Sequence, residues 1–579
     1  MTWQCLNHKS IRSLALKVFN RRITWKQFER YWFFLSLIMV IGSLSYSKYG
    51  LSMGQMMLAG GWIVERFDRN KWLSQMAGLT AGKRSLRFIP LSFGLLFSGI
   101  FSGFRQFFRN RPALIFSSIF LIHILGLVFT TDFSYALKDL RTKLPILLLP
   151  LLLATSESID RKTFYRYMLF FILIVAVRSG YNAWKITGDR FLDIRDVSQN
   201  ISHIIFGLEI VMAIYTTAFF IFRRNLLRAW QRWLLLPVIG WLLAYLILSR
   251  SFTGLSVLLF SLLILIMVMT FRTGIRCLKM ALAAGFILIA CGMFLYLRSV
   301  VRDYYQVNPV DFSNLETTTS RGNPYIHNPY STQTENGNYV WIYIQWDEMR
   351  NAWNQRSAIP FDSLGRKNET VAYTVVRYLS SKGWRKDADA IERLTLQEVA
   401  AIENGVANQI FLEKFSIRGR IYEFLWGFDN YRETGNPTGS TVMQRLEFWK
   451  ASIGIIRGAW LTGVGTGDMN TAFRDQYETM QTMLSTDQRW RSHNQFLSIF
   501  IGFGIFGLVW FLVAIFYPPV RLRRMNDYFF LTFLIIILLS MLTGDTIESQ
   551  TGVSFFAIFY SLFLFAREGK DEILITRNT

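Results

Sequence analysis

The sequence holds one composed setting for an imidazole. Arg489-Trp-Arg491-Ser-His493-Asn494 stands directly before an apolar run that begins at residue 495. An imidazole titrating near neutral pH can take a proton from a hydroxyl or, once protonated, bind phosphate, and two neighbouring guanidiniums add fixed positive charge for an anionic group. The bland reading is a solvated or headgroup-facing patch. Arg250, in LSRSFTG, stands alone in a hairpin between two apolar runs. A lone arginine at a membrane face is costly unless it snorkels or finds an anion, so it is a candidate anion ligand. Arg178 and Arg195 flank another short loop and have a weaker version of the same claim. His8, His123, His203 and His327 read as packing, capping or surface residues.

Two motif classes drop out. Gly463-Val-Gly465-Thr-Gly467-Asp468 has the spacing of a phosphate cradle, but no strand precedes it and no Lys-Ser/Thr follows, so a bend is the better reading. HExxH and CxxC are both absent. No metal or cofactor is expected, with Asp468, Asp475 and Glu478 left as a set that three dimensions could bring to a cation.

The elements that must position these residues are membrane spans. The chain has 579 residues, of which 52% are hydrophobic, 16% aromatic and 18% charged. Its apolar residues fall in repeated long stretches, which excludes an ordinary soluble enzyme, a disordered chain and a disulfide scaffold. Stretches long enough to cross or nearly cross a bilayer run over 31–48, 51–65, 113–130, 140–155, 166–178, 201–222, 233–248, 253–271, 280–297, 495–517, 527–543 and 552–566. Segment 88–104, rich in Gly and Ser with basic residues on both flanks, reads as an interfacial helix. The expected fold is therefore an all-α polytopic membrane protein of about twelve transmembrane helices, with a retained first span after a basic N-terminus (1–30), spans one to nine over 31–297, spans ten to twelve over 495–566, and a tail at 567–579.

The formal net charge of +24 orients this protein and does not imply nucleic acid. Strongly basic short segments such as RRNLLRAWQR (223–232) and PPVRLRRMN (518–526) fall on one side, expected to be cytoplasmic. The loop 298–494 then lies on the outer side. It carries 22 Lys and Arg against 22 Asp and Glu, and so is neutral. A loop that long is expected to be a partly folded domain. Thr395-Leu-Gln-Glu398 is a capping box for a helix that can stop near Gly405, and Thr441-Val-Met-Gln444 can open another carrying Arg445, Phe448 and Trp449. The domain's tryptophans either stack on sugars or, more simply, build its core.

QRLEFWKAS (444–452), LTGVGTGDMNTAF (461–473) and SHNQFLSIFIGFGIFGLVWFL (492–512), with the Arg250 hairpin and VFTTDFSYALKDLRTKLPILLLPL (128–151), resemble the O-antigen ligase and Wzy-type polymerase superfamily of bacterial envelope glycosyltransferases. The resemblance implies a GT-C-like, WaaL-like enzyme of the bacterial inner membrane with its active site facing the periplasm. It implies a polyprenyl-diphosphate-linked glycan donor and lipid A-core or another glycan as acceptor, with no ATP. By the same resemblance His493, Arg250 and Arg445 are the catalytic residues, and Arg489 and Arg491 lie in a neighbourhood that is basic in such enzymes; with Asn494, and with Arg178 and Arg195 from their loop position, they are further substrate-binding candidates. Arg250 and Arg445 would bind the diphosphate and stabilise leaving-group charge, while His493 would either deprotonate the acceptor hydroxyl for an inverting displacement or orient the diphosphate. Ligase and polymerase remain open alternatives, with a protein-accepting oligosaccharyltransferase and a non-enzymatic transporter behind them.

Overall fold

The computed structural model describes residues 24–77, 81–188, 202–249, 251–272, 276–366, 369–412 and 416–571. Arg250, Arg195 and His8 lie outside the described residues, as do most of the basic N-terminus and most of the tail.

In chain order the helices are α1 (Trp25–Leu44), α2 (Lys48–Glu65), α3 (Arg69–Ala77), α4 (Ala81–Arg109), α5 (Arg111–Leu125), α6 (Phe133–Lys143), α7 (Pro145–Thr155), α8 (Arg161–Gly188), α9 (His203–Phe222), α10 (Ala229–Leu248), α11 (Phe252–Arg272), α12 (Arg276–Tyr305), α13 (Trp346–Asn354), α14 (Val371–Ser381), α15 (Ala388–Glu392), α16 (Leu396–Glu403), α17 (Ile417–Thr434), α18 (Thr441–Ala459), α19 (Met469–Thr479), α20 (Gln495–Arg521), α21 (Tyr528–Thr543) and α22 (Gln550–Ser561). A two-stranded hairpin, β1 (Thr334–Glu335) and β2 (Asn338–Tyr339), pairs antiparallel.

Among the described residues, seven helices are long and apolar enough to cross a membrane: Arg111–Phe129, Arg161–Lys185, His203–Phe222, Ala229–Leu248, Phe252–Arg272, Lys279–Tyr305 and Gln495–Arg521. The expectation of about twelve is thereby corrected, and the reasons are local. The stretch 140–155 is two helices, because Pro145 opens α7 just after the amphipathic α6, and α7 has only 11 residues. That is about 16 Å of helix against a hydrocarbon core of about 30 Å. The first turns of α1 are spent on Lys26, Glu29 and Arg30, and α2 begins at Lys48 and ends at Glu65. The helices Tyr528–Thr543 and Gln550–Ala566 are apolar but shorter.

The chain divides into two compact units. The first comprises residues 1–275, 448–481 and 487–579. Its most enclosed helices are α9, α21 and α22, and its core is heavily aromatic: the Phe116 ring stacks on Tyr560 at 3.8 Å. Close helix approach depends on glycine, as where a Cβ at Gly54 of α2 would meet the Val40 amide nitrogen of α1 at 2.9 Å.

The ends of this unit's bundle differ in chemistry. At one end Arg30 pairs with Glu157 at 2.9 Å, Arg567 with Asp527, and Arg161 with Asp571, while Arg66 and Arg524 donate to the backbone carbonyls of Thr155 and Arg567. At the other end, turns 126–132, 461–468, 490–495 and 543–549 meet, and they carry the buried acidic groups described below.

The second unit comprises residues 276–447 and 482–486. It contains α12, anchored to α17 by Arg418–Asp303 at 3.3 Å and by the Tyr305 hydroxyl donating to Asp429 at 2.8 Å. Its core is built on Val340, Trp353, Phe361, Tyr378 and Ile402. Trp341, Trp346 and Trp384 pack against that core, so most of these tryptophans serve packing. Thr395 and Glu398 do form the expected capping box on α16, with Gly405 at φ 76° just beyond its end.

Candidate functional site

The site is built where a glycine-rich turn, a histidine loop and two acidic turns of the first unit converge. The turn 461–468 is a backbone junction. Val464 N–H donates to Ile501 O and Gly465 N–H to Gly502 O, each at 2.9 Å, and Gly467 N–H donates to Thr130 Oγ1 at 3.1 Å. These amides are spent, so the phosphate-cradle spacing has no cradle behind it. Gly463 (φ 73°) and Gly465 (φ 90°) take conformations that favour glycine, and Cβ atoms there would strike the backbone of Gly502 and Gly126. Asp468 is spent as well: its carboxylate accepts from the Thr131 amide at 2.8 Å, the Asp132 amide at 2.8 Å and the Thr131 hydroxyl at 3.0 Å.

The loop 490–494 is fixed from several sides. Tyr477 Oη donates to Trp490 O at 2.6 Å, and Trp449 Nε1 donates to Ser492 O at 3.1 Å. Ser492 is fully buried and shares a 2.8 Å hydrogen bond with Ser498, whose hydroxyl donates to Asp545 Oδ1 at 2.7 Å. His493 sits between these anchors at φ 47°, left-handed backbone that an L side chain seldom adopts. Such a conformation costs energy and persists only where its surroundings over-determine it. Its half-buried ring lies 5.6 Å from Phe448 and 6.3 Å from Trp490.

Behind this loop lies a buried ionic network. Lys143, fully enclosed, bridges Asp139 at 3.0 Å and Glu548 at 2.8 Å. Glu548 also accepts from Gln495 Nε2 at 3.0 Å and lies 3.6 Å from Arg491. Arg491 donates to Asn470 Oδ1 at 2.9 Å and to the Tyr135 hydroxyl. Burial opposes the charge on Glu548, but Lys143 and Arg491 outweigh it and hold the carboxyl below the usual range. Asp545 goes the other way: burial, then the charge of Glu548, pushes it up to about 6 against the Ser498 hydrogen bond. His123, Tyr135, Asp139, Arg491, Ser498 and Glu548 line a small cavity with room for about one water. The His123 Nδ1 lies 2.8 Å from Ile119 O, which makes Nδ1 the protonated nitrogen and turns Nε2 toward Asp139 at 4.0 Å.

The candidates from the sequence separate as follows. Arg491 and His493 come together on the anchored loop, but the Arg491 guanidinium faces inward, to Asn470, Tyr135 and Glu548. Asn494 is a helix cap, accepting from the amides of Phe496 and Leu497 and donating to Leu542 O at 3.1 Å. Arg489 is half-buried between the 3₁₀ turn Thr486–Gln488 and Trp490. Arg445 is half-buried on α18, in the second unit. Arg178 is buried with a different set of neighbours, its guanidinium 5.2 Å from the Tyr46 ring and 5.5 Å from the Tyr181 ring.

Tyr135, Asp139, Lys143, Asp545 and Glu548 do not stand out singly in the sequence. Two signals were present: Asp139 and Lys143 at i,i+4 ahead of an apolar run, and two carboxylates between the last apolar stretches.

No curated protein matches the chain. A family model described as O-antigen ligase matches residues 393–512, a span that includes Arg445, Arg489, Arg491, His493 and Asn494 and leaves out Arg178, Arg195 and Arg250. The chain therefore carries an O-antigen ligase (Wzy_C) domain toward its C-terminal end, within a multi-pass membrane protein.

Proposed function

We propose that the protein is an inverting glycosyltransferase of the O-antigen ligase type, moving a glycan from a polyprenyl-diphosphate carrier to lipid A-core at the outer face of the bacterial inner membrane. The observation that carries this reading is the O-antigen ligase match running through Arg445 and the anchored, backbone-strained His493. The orientation follows from charge, since the end of the bundle rich in arginine belongs in the cytoplasm.

In the reaction the anomeric carbon–oxygen bond to the diphosphate breaks as the acceptor hydroxyl oxygen bonds to the same carbon from the opposite face. The electron pair leaves on the lipid diphosphate. By resemblance, Arg250 and Arg445 are the groups that neutralise that charge. His493 takes the proton of the acceptor hydroxyl. An orienting contact from His493 to the diphosphate is the competing role, and the two separate experimentally. As a base, His493 must be neutral, so kcat falls as pH drops below its pKa; as a diphosphate contact, its substitution raises KM with less effect on kcat. The bond energy of the donor drives transfer, so no ATP is required.

The test is single-turnover transfer by purified His493→Ala and Arg445→Ala proteins. Loss of about 100-fold or more in each is expected, on the scale of removing one general base or one charge-stabilising donor. Retention of the full rate by His493→Ala removes the histidine from the mechanism.

A further inference from the structure

Helix α4 carries a face that neither the ionic network nor the transfer reaction uses. Phe93, Phe97, Phe101, Phe104 and Phe108 are each between 40% and 75% exposed. At 3.6 residues per turn these five fall within about 80° of arc, one unbroken stripe about 22 Å long. The opposite face is cut for close protein contact. A Cβ at Gly99 would strike the Arg66 carbonyl oxygen, and one at Gly103 would meet the Trp62 ring at 2.5 Å. One turn on, Phe107 is buried against Ala113 and Leu151. Toward the start of the helix, Trp72 Nε1 of α3 donates to Ser92 Oγ at 2.9 Å. The helix is thus held by its glycine face and Phe107, with Phe93, Phe97, Phe101 and Phe108 turned outward and Phe104 edge-on to Trp62 at the margin, ring centroids 5.9 Å apart.

Two observations say what covers that stripe. First, the helix is docked at the arginine-rich end of the first unit: Arg66, over which Gly99 sits, donates to the carbonyl of Thr155 at the end of α7. Second, exposed Arg105 and Arg109 lie on one flank of the stripe, about 40° and 80° of arc beyond its edge. An aromatic stripe with one cationic flank, at the level where apolar helices end, fits the boundary between acyl chains and phosphate headgroups.

We infer that α4 lies in the plane of the membrane, with Phe93, Phe97, Phe101, Phe104 and Phe108 inserted into the acyl boundary of the leaflet at the arginine-rich end and Arg105 and Arg109 on lipid phosphates. This surface is independent of the glycosyltransferase reading.

The test places single spin labels in the full-length protein, with its three cysteines replaced by serine, in nanodiscs of phosphatidylcholine and phosphatidylglycerol. Labels go on Phe97→Cys, Phe101→Cys, Phe108→Cys, Ser98→Cys and Arg105→Cys, each at an exposed position that a label does not disrupt. Accessibility to oxygen and to a water-soluble nickel chelate reports depth. Labels at 97, 101 and 108 are expected at one shallow depth, about 5–10 Å below the phosphates, with those at 98 and 105 open to the nickel chelate. A depth that changes steadily from 97 to 108 would make α4 a span and overturn the inference. Shielding of 97, 101 and 108 from both reagents would also overturn it, since a protein partner or second copy would then cover the stripe.

Discussion

At the scale of single residues the first unit depends on an ammonium group in a place no ammonium should be. Lys143 is fully enclosed and survives there because Asp139 and Glu548 both bond it. Removing it leaves two carboxylates buried near each other. Lys143→Met should therefore destabilise the protein by about 3–5 kcal/mol, the cost of breaking a buried pair, read as a fall in thermal midpoint in detergent. Asp545 gives a test with a definite sign. In the unfolded chain it ionises near 3.9; in the folded protein it holds its proton to about pH 6. Ionisation thus penalises the folded state increasingly from about pH 4 to pH 6, and the penalty is constant above. The thermal midpoint of Asp545→Asn, taken relative to the native protein, should rise over that interval and then level off; a difference that stays flat from pH 4.5 to 7.5 would contradict this account. His493 stands out in the sequence because the chain holds only five histidines and this one closes an arginine-bearing segment directly ahead of an apolar run. The Lys143 network does not, since its members come from residues 139, 143, 491 and 548, and only the fold brings an isolated acid and an isolated base together.

At the scale of elements the glycines of 463–467 do the joining. Gly463 combines a φ of 73° with the backbone of Gly502 directly where its Cβ would be, and Gly504, at φ 64°, breaks α20 against Leu461. Gly463→Ala should separate turn 461–468 from α20 and release the loop that holds His493. The expected result is faster proteolysis or hydrogen exchange over 461–495, ahead of any change elsewhere; unchanged protection there would show that the junction tolerates a Cβ. The sequence displayed this segment as a phosphate motif by spacing alone. Spacing could not reveal that its amides donate to Ile501, Gly502 and Thr130. The capping box at Thr395, by contrast, was readable in advance, because capping is decided by four consecutive residues.

At the scale of the whole molecule the expected membrane protein is present with fewer full spans than its apolar stretches implied. Apolar content alone does not say where a proline or a charged turn interrupts a helix, and the stretch 140–155 fails on Pro145 and on the amphipathic α6 ahead of it. A separate domain within 298–494 was readable from its length and charge, but not where the units divide, since one boundary falls inside a continuous helix, between Glu447 and Phe448. The orientation is open to direct chemical labelling: a cysteine at Ser363 should react with an impermeant maleimide from the periplasm in intact cells, and one at Lys26 should not.

The proposed reaction is glycan transfer from a lipid diphosphate. Its most direct test is to incubate the purified protein with a polyprenyl-diphosphate oligosaccharide, with and without lipid A-core and without ATP, and to identify the products by gel and mass spectrometry. Glycan attached to lipid A-core, with inverted anomeric configuration, is expected only when that acceptor is present, and none with His493→Ala. Longer lipid-linked chains formed from the donor alone would contradict the ligase assignment in favour of a polymerase, and an intact donor under all conditions would contradict glycosyl transfer itself.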